Sequence, residues 1–347
     1  MKKRFGYASS GVDIDVADAA KRKIKSLVKA TYTSGVLSDL GKFGGFFSIE
    51  HLKYKKPVFV SSVDGVGTKL MLASMMNKFD TVGIDIVNHC VDDILVHGAR
   101  PIFFLDYIAM AKTTPEIVGE IVKGMVTACK AEKCALVGGE TAQMPDIYKG
   151  TDFDLAGLIV GIVEKDKIID GKNIKAGDKI IGLKSMGLHT NGYTLARKLF
   201  FDKAGYKANS YVKQLKTTVG KALLVPHRSY TKPVFKLVDK IEVKGLAHIT
   251  GGGFTDNIPR ILPEGVGVVI DKKTWKPLPV FEMIAKLGNL EDNEMYRTFN
   301  MGIGMCIFVS PKDLNKALKV LKTSGEKPLV IGDVVRSRNG TRKVEIV

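Results

Sequence analysis

One pattern occurs twice in the first half of the chain: a short apolar run ends in a glycine turn that carries a single carboxylate. The first copy is Pro57–Val60 followed by Ser61–Lys69, and the second is Ala135–Val137 followed by Gly138-Gly-Glu. Short apolar runs bounded by glycine predict buried strands. A helical apolar stripe after Thr114 lies between them, so the alternation predicts an α/β domain.

The first turn has the composition of an anion-binding loop. Gly65 and Gly67 let backbone N–H groups approach a phosphate, while Thr68 and Lys69 supply a hydroxyl and a cation. Asp64 would repel a phosphate unless a divalent cation lies between them. The loop therefore indicates a metal–phosphate site; a plain tight turn with a solvated lysine is the alternative.

The segment Gly83–His97 has the apolar pattern of a buried helix but also carries Asp85, Asn88 and Asp92, about one turn apart. Buried carboxylates are costly unless they are paired or bind a metal. We therefore expect a cation site on this helix. Two histidines of the segment are either further ligands or packing residues: His89 and His97.

The second half restarts after the polar stretch Lys165–Lys175, which predicts two domains over residues 1–167 and 168–347. A turn at His189-Thr-Asn-Gly then opens a helix with Thr190 or Asn191 as its N-cap, which would favour an anion. His189 is a candidate hydrogen-bond donor or general base, or else an ordinary loop histidine.

Two further glycine-rich stretches need separate interpretations. Gly251, Gly252 and Gly253 open a short helix and are a second candidate phosphate loop. Gly35–Phe47 is not a Walker A loop, because its spacing is too long and Phe43 stands where Ser or Thr is required. It is a glycine-rich cover or a linker.

Composition sets broad limits on the function. The chain has 347 residues, 45% of them apolar and 26% charged, as in ordinary globular proteins. No apolar run approaches the about 20 residues of a membrane span, and no signal peptide is indicated. Four cysteines without a Cys-x-x-Cys pair predict reduced thiols and a cytoplasmic location.

The net charge of +17 would attract phosphorylated ligands or nucleic acid. The lysines are nevertheless spread along the chain in short runs, with no basic stripe interleaved with aromatic residues. We therefore expect a solvated basic surface and no nucleic-acid partner. A non-enzymatic nucleic-acid binder remains the alternative that the charge alone suggests.

Six motifs occur along the chain, in this order: Val-Asp-Gly-Val-Gly-Thr-Lys, Gly-Ile-Asp-Ile-Val-Asn, Phe-Phe-Leu-Asp-Tyr, Val-Gly-Gly-Glu-Thr-Ala-Gln-Met-Pro, His-Thr-Asn-Gly-Tyr and His-Ile-Thr-Gly-Gly-Gly-Phe. Together they resemble the phosphoribosylformylglycinamidine cyclo-ligase family, also called aminoimidazole ribonucleotide synthetases. The resemblance extends from Tyr7 to about Val335. It implies ATP-dependent closure of formylglycinamidine ribonucleotide to 5-aminoimidazole ribonucleotide in purine synthesis, with release of ADP and phosphate.

The resemblance also implies a fold of two α/β domains. The N-terminal sheets of two subunits would pair into a barrel-like sheet in a homodimer, and the C-terminal domain would be a mixed α/β sandwich. ATP with Mg²⁺ would bind near the dimer interface, beside a small phosphoribosyl substrate.

Site residues follow from the same resemblance. It implies a metal site of Asp64, Asp93 and Glu140, and His189, Asp93 and Lys69 at the reacting centre. The residues it implies for ATP are Lys25, Asp64, Gly65, Gly67, Thr68, Lys69, Gly139, Glu140 and Thr141. Those it implies for the phosphoribosyl substrate are His189, Asn191, Gly251, Gly252 and Gly253.

The sequence departs from the family pattern at Asp92, where relatives commonly have Asn, and within Gly35–Phe47. Rival assignments in the same superfamily are selenophosphate synthetase, thiamine-monophosphate kinase, hydrogenase-maturation enzyme and formylglycinamide amidotransferase. The first would need a cysteine in the early glycine-rich loop, and the third a C-terminal cysteine, whereas this chain ends in Val347. The amidotransferase would need a much longer chain.

Overall fold

The computed structural model describes residues 24–337 and 343–347. Within these ranges the chain forms a four-stranded sheet, a six-stranded sheet and a two-stranded ribbon. Of the predicted helix Val16–Ala30, only the part from residue 24 onward is described; it is helical over residues 24–29, here α1.

The first half contains the four-stranded sheet and its helices. Its elements are β1 (Pro57–Gly65), α2 (Lys69–Met76), α3 (Asp80–Leu95), β2 (Arg100–Met110), α4 (Pro115–Glu132), β3 (Ala135–Gln143) and β4 (Phe153–Glu164). The strand order is β1-β4-β2-β3, in which only β2 and β3 run parallel. The predicted strands at Pro57–Val60 and Ala135–Val137 and the predicted helices at Gly83–His97 and after Thr114 are present.

The register of this sheet aligns one residue from each strand. Asp64 lies opposite Gly157, Gly157 lies opposite Asp106, and Asp106 lies opposite Gly139. With strands about 4.8 Å apart, the two outer members of this row are separated by about 14 Å across the sheet. The first glycine turn follows β1, whereas Gly138-Gly-Glu is not the expected turn but part of β3, which continues to Gln143 at the opposite edge of the sheet.

The helices α3 and α4 pack side by side and cover one face of the sheet, because each has an apolar stripe at helical spacing. The two backbones touch where glycines meet. A Cβ on Gly83 would lie 2.0 Å from Ile121 O, and one on Gly124 would lie 1.9 Å from Asp80 O. On the opposite face of the sheet Phe47 packs against Phe103 of β2, while Phe59 and Val63 of β1 are 56% and 64% exposed.

The second half is built on the six-stranded sheet. Its strands are β5 (Lys179–Lys184), β8 (Gly245–His248), β9 (Val266–Ile270), β10 (Ile303–Val309), β11 (Leu329–Arg336) and β12 (Val344–Ile346). The ribbon is formed by β6 (Tyr211–Val212) and β7 (Thr217–Thr218). Its helices are α5 (Tyr193–Arg197), α6 (Val219–Leu223), α7 (Thr231–Val238), α8 (Gly253–Asn257), α9 (Pro279–Gly288), α10 (Asp292–Thr298) and α11 (Leu314–Thr323).

The six-stranded sheet has the order β12-β9-β11-β5-β10-β8, and its pairs are antiparallel except β9 with β12. Every residue of β10 is buried, which explains why this strand is an unbroken apolar run rather than an alternating one. The α/β class predicted for both halves is confirmed. Among the described residues, no helix has both the length and the apolar character to cross a membrane.

We predict that Gly124→Ala destabilises the protein by about 1–3 kcal/mol or more, because the added methyl group would overlap the backbone of α3. Urea unfolding monitored by circular dichroism measures this change. Gly44→Ala is the matched control, since a Cβ there would have no atom within 4 Å. Equal unfolding midpoints for the two variants would contradict the close helix contact.

Candidate active site

A cavity of about 510 Å³ lies between the two halves of the chain. One wall comes from β1 and α3, and the opposite wall comes from the end of β8 and the glycine turn that follows it. The polar side chains of its lining are Ser61, Ser62, Asp64, His89, Asp93, His97, Asn191, His248, Thr250, Asn257 and Arg260.

Two carboxylates, Asp64 at the end of β1 and Asp93 on α3, are brought together on the first wall. His89 lies between them, with its Nε2 atom 2.7 Å from Asp64 Oδ2 and 3.8 Å from Asp93 Oδ2. Ser62 donates a hydrogen bond to Asp93 Oδ2 at 3.1 Å, and Asp93 Oδ1 is 2.9 Å from Nδ1 of His248. The prediction that Asp64 and Asp93 meet at one site is therefore supported by this geometry.

Both carboxylates are held in the ionised form. Burial alone would raise the pKa of each, but hydrogen bonds outweigh it: His89 lowers the pKa of Asp64, and His248 lowers that of Asp93. Burial opposes the charged form of His89, yet its bond to Asp64 and the charge of Asp93 raise its pKa overall. On this wall the two ionised carboxylates thus lie on either side of the His89 ring.

In the glycine turn after β1, one backbone N–H is already hydrogen-bonded within the turn. The Gly65 N–H donates to Oδ1 of Asp64 at 2.6 Å, and Gly67 has a φ of 66°, which a glycine adopts without strain. The hydroxyl of Thr68 lies 2.9 Å from that of Thr194 on α5, across the boundary between the halves.

The second wall combines the two anion loops expected in this half. A Cβ on Gly251 would lie 2.9 Å from Asn191 Oδ1, so the two loops touch. The amide of Asn257 donates to the carbonyl oxygens of Gly251 and Gly253 and fixes the turn. Arg260 adds a positive charge to this wall, opposite the two carboxylates.

Lys69 does not face the cavity, contrary to its expected place in the phosphate loop. Its side chain is fully buried, and Nζ is 2.8 Å from Asp85 Oδ1, 3.0 Å from His189 O and 2.8 Å from Val225 O. Three acceptors satisfy the three donors of an ammonium group. Lys69 therefore joins the two halves and has no donor left for a phosphate.

The sequence predicted a cation site at the polar stripe of α3, and this prediction is wrong. The stripe contacts the second half of the chain instead. Asp85 accepts a hydrogen bond from the backbone N–H of His227 at 2.6 Å, and the Asn88 amide donates to the His227 carbonyl at 2.7 Å. Asp92 accepts from the backbone N–H of Tyr230 at 2.9 Å. Sequence periodicity places these groups on one face but cannot distinguish a metal from a second domain as their partner.

His189 is 1% exposed and lies just behind the cavity wall, and it adopts a φ of 62°, unusual for a residue with a side chain. Burial and the neighbouring charge of His248 hold its pKa well below the ordinary range. The expected N-cap is wrong: Gly192, with a φ of 78°, precedes α5, and no side chain caps the helix. Thr190 instead lies 2.6 Å from Nδ1 of His89 through its hydroxyl.

The remaining nucleotide candidates lie away from this cavity in a single chain. Gly139, Glu140 and Thr141 are on β3, at the opposite edge of the sheet from Asp64, so Glu140 does not join the Asp64–Asp93 pair. Lys25 is exposed on α1.

Two family models match the chain, AIR synthase related protein, N-terminal domain, over residues 52–163 and AIR synthase related protein, C-terminal domain, over residues 175–345. The chain belongs to the AIR synthase family. It is 50% identical over 336 residues to the phosphoribosylformylglycinamidine cyclo-ligase of Thermoanaerobacter sp. (strain X514), covering 97% of this chain and 99% of that one. The same-named protein of Geotalea daltonii is 49% identical and covers 100% of this chain and 99% of its own.

Solved structures of the AIR synthase fold are more distant in sequence. The hydrogenase maturation protein HypE in complex with ATP aligns with a TM-score of 0.67 at 16% identity, over 94% of this chain and 91% of that chain. Thiamine-monophosphate kinase from Stenotrophomonas maltophilia K279a aligns with a TM-score of 0.67 at 14% identity, over 93% and 95%. At these identities the likeness shows the fold alone.

Sequence reasoning missed three side chains of this AIR synthase site: His227, His248 and Arg260. His248 opens the motif His-Ile-Thr-Gly-Gly-Gly-Phe, two residues before the second glycine turn, and that position was a signal that could have identified it. His227 and Arg260 stand in no motif, and only the packing of the two halves brings them to the site.

We predict that Lys69→Met destabilises the protein by about 3–5 kcal/mol, because it leaves the buried Asp85 carboxylate without its counter-charge. Urea unfolding measures the loss. The double variant Lys69→Met/Asp85→Asn should recover most of it, since asparagine still accepts the His227 N–H without a charge.

The matched control is Lys29→Met, which breaks an exposed ion pair with Asp39 and should cost less than about 1 kcal/mol. An unchanged stability of Lys69→Met, or a double variant weaker than the single one, would contradict the role given to this ion pair.

Proposed function

We propose that the protein catalyses the ATP-dependent ring closure of formylglycinamidine ribonucleotide to 5-aminoimidazole ribonucleotide, releasing ADP and phosphate. The observation that carries this proposal is the identity of about 50%, over nearly the whole length of both chains, to proteins named phosphoribosylformylglycinamidine cyclo-ligase. The reaction belongs to purine synthesis in the cytoplasm, where four buried, unpaired cysteines would stay reduced.

The chemistry requires an oxygen to leave from an amide-like carbon. Transfer of the γ-phosphoryl group of ATP to that oxygen makes it a leaving group, the neighbouring nitrogen attacks the carbon, and phosphate departs. Positioning and charge neutralisation carry most of the acceleration in such phosphoryl transfers. A cavity with carboxylates on one wall and a cation with glycine turns on the other supports this chemistry.

Mg²⁺ fits the first wall. Asp64 and Asp93 offer ionised carboxylates at the edge of the cavity, with side chains 41% and 25% exposed, and hard oxygen ligands are those that this ion prefers. When bound, Mg²⁺ would neutralise phosphate charge. In this proposal Asp64 and Asp93 hold the ion, and Gly65 and Gly67 leave room for the phosphates to approach.

The second wall supports a phosphoribosyl site. Asn191, the turn Gly251–Gly253 and Arg260 together offer amide donors and one positive charge to a phosphate monoester. His248 then lines the cavity beside the two ligands, with His189 just behind the wall, and a neutral imidazole there can take up the proton that the attacking nitrogen loses. Lys69 holds the carbonyl of His189 in place and does not touch ligand in this proposal.

The enzyme is proposed to be a homodimer. Its interface would be the face of the four-stranded sheet that carries the exposed side chains Phe59 and Val63. Exposed apolar side chains of this size, Phe59 and Val63 on β1 and Tyr107 on β2, mark interfaces more often than solvent-facing surfaces. The dimer would also explain Glu140, because pairing of two sheets can carry β3 of one copy towards a nucleotide held by the other.

We predict that the purified protein with ATP and Mg²⁺ releases ADP and forms the aminoimidazole only when formylglycinamidine ribonucleotide is supplied. A coupled ADP assay with thiamine monophosphate as the second substrate tests the rival kinase activity. His189→Ala should lower turnover by about 10²–10⁴-fold while unfolding in urea as the wild type does. His51→Ala, at an exposed histidine outside the cavity lining, is the control. Full activity of His189→Ala would remove its assigned role.

We predict that the wild type sediments at twice 37.8 kDa and that Phe59→Asp/Val63→Asp sediments as a single chain. A charge buried in an apolar interface costs more than the contact provides. Tyr211→Asp, equally exposed but on the ribbon of the second half, should stay dimeric. A wild type that is monomeric at micromolar concentration would end the dimer proposal.

A further inference from the structure

Three imidazole rings are packed against one another behind the second wall of the cavity. His189, His227 and His248 are 1%, 1% and 6% exposed, and one ring nitrogen from each lies within 4.8 Å of the other two. Nε2 of His227 and Nε2 of His248 are only 3.0 Å apart. No single motif contains this cluster: His189 and His248 open two separate motifs, and His227 lies in none.

The protons of two of these rings are fixed by their other nitrogens. Nδ1 of His227 lies 2.9 Å from the carbonyl oxygen of Arg228, which can only accept, so this nitrogen carries the hydrogen. Nδ1 of His248 lies 2.9 Å from the ionised Asp93 and carries a hydrogen for the same reason. In the neutral rings both Nε2 atoms are therefore bare, and two lone pairs face each other.

The third ring has unused bonding capacity as well. Nδ1 of His189 is buried and has no hydrogen-bond partner, and its ring centroid is 3.9 Å from that of His227. The backbone of His189 is held at a φ of 62°, a conformation that persists only where the surroundings enforce it. Nε2 of His189 accepts from the backbone N–H of Met186 at 3.5 Å, the long limit of a hydrogen bond. Each of the three neutral rings therefore has one nitrogen without a hydrogen.

The charge state of the rings is compatible with metal binding. Burial is the main cause that lowers the pKa of His189, His227 and His248, although Asp93 partly opposes this for His248. Neutral imidazole is the form that binds a metal, so no proton has to be displaced at neutral pH. The ionised Asp93, bonded to Nδ1 of His248, would balance part of an added positive charge.

We propose that His189, His227 and His248 bind one divalent transition-metal ion of the zinc type, at a site separate from the oxygen ligands Asp64 and Asp93. Zinc–imidazole bonds of about 2.0–2.1 Å place two ligand nitrogens about 3.3 Å apart in a tetrahedron, close to the observed separation. Metal-binding histidines also typically donate their second N–H to a carbonyl or carboxylate, as His227 and His248 do.

The proposed site follows from the ring geometry and does not depend on which reaction the enzyme catalyses. His248 lines the cavity, which gives an ion a route to the cluster. A bound metal ion would coordinate a ring nitrogen of His189. Ions of the zinc type would therefore inhibit any reaction in which His189 has to accept or donate a proton. Mg²⁺ does not compete, because it prefers oxygen ligands.

The test is a titration of chelator-treated full-length protein with Co²⁺ in excess Mg²⁺, followed by visible absorption. We expect one equivalent of Co²⁺ with the intense bands of four-coordinate geometry. His227→Asn should weaken this binding by at least about 100-fold, whereas His51→Asn, an exposed histidine, should leave it unchanged. Asp64→Asn should also leave the Co²⁺ affinity unchanged, since the two sites are separate.

Absence of the bands, or equal Co²⁺ affinity of His227→Asn and wild type, would overturn the proposal. A proton shared between Nε2 of His227 and Nε2 of His248 would then explain their short separation. Loss of binding in Asp64→Asn would place the ion on the oxygen ligands and would also overturn it. If His227→Asn does not fold, X-ray absorption of the wild type with Co²⁺ decides: a nitrogen shell of three imidazoles supports the site, and oxygen ligands alone refute it.

Discussion

The contact between Lys69 and Asp85 is the interaction on which the rest of the structure depends. Both side chains are fully buried, and a buried ion pair is tolerated only when its remaining donors and acceptors are also satisfied. Here the ammonium also binds the carbonyls of His189 and Val225, while Asp85 also accepts from His227 N. One pair thereby connects α2 and α3 of the first half to two separate loops of the second.

This arrangement explains why the cavity lies where it does. α3 packs its apolar side on the sheet and turns its polar side to the second half, so the polar groups of both halves meet along a single seam. At the open end of that seam the carboxylates reach solvent, and the cavity begins there. Lys69 binds the carbonyl of His189 and so stabilises its unusual backbone conformation. The position of the His189 ring thus depends on a buried contact outside the cavity.

Much of the fold was predictable because its elements follow local rules. Strands such as β1 and β10 and the helix α4 are apolar at the spacing of their class, and glycine turns marked both walls of the cavity. The errors were of another kind. Lys69, Asp85 and Gly192 have roles set by residues more than 15 positions away or by backbone geometry, and no periodicity reports these.

Glu140 differs from these residues, because within one chain its expected partners Asp64 and Asp93 lie across the sheet from it. The histidine cluster was missed for a related reason. His189, His227 and His248 are separated by 38 and 21 residues and come together only because β8, β10 and the loop before α7 pack against α3. The three rings are therefore neighbours only in the folded chain, where the two halves pack together.

Four aspartates on β1 and α3 illustrate how environment, rather than residue type, assigns a role. Burial raises the pKa of Asp85 and, more strongly, that of Asp92, whose Oδ2 has no hydrogen-bond partner, whereas histidine bonds hold Asp64 and Asp93 ionised despite their burial. The first two are suited to holding the halves together and the second two to holding a cation, because only an ionised carboxylate at an opening can attract one. Burial favours the uncharged form of Asp92, and its Oδ1 accepts from the backbone N–H of Tyr230 as an amide oxygen at this position would.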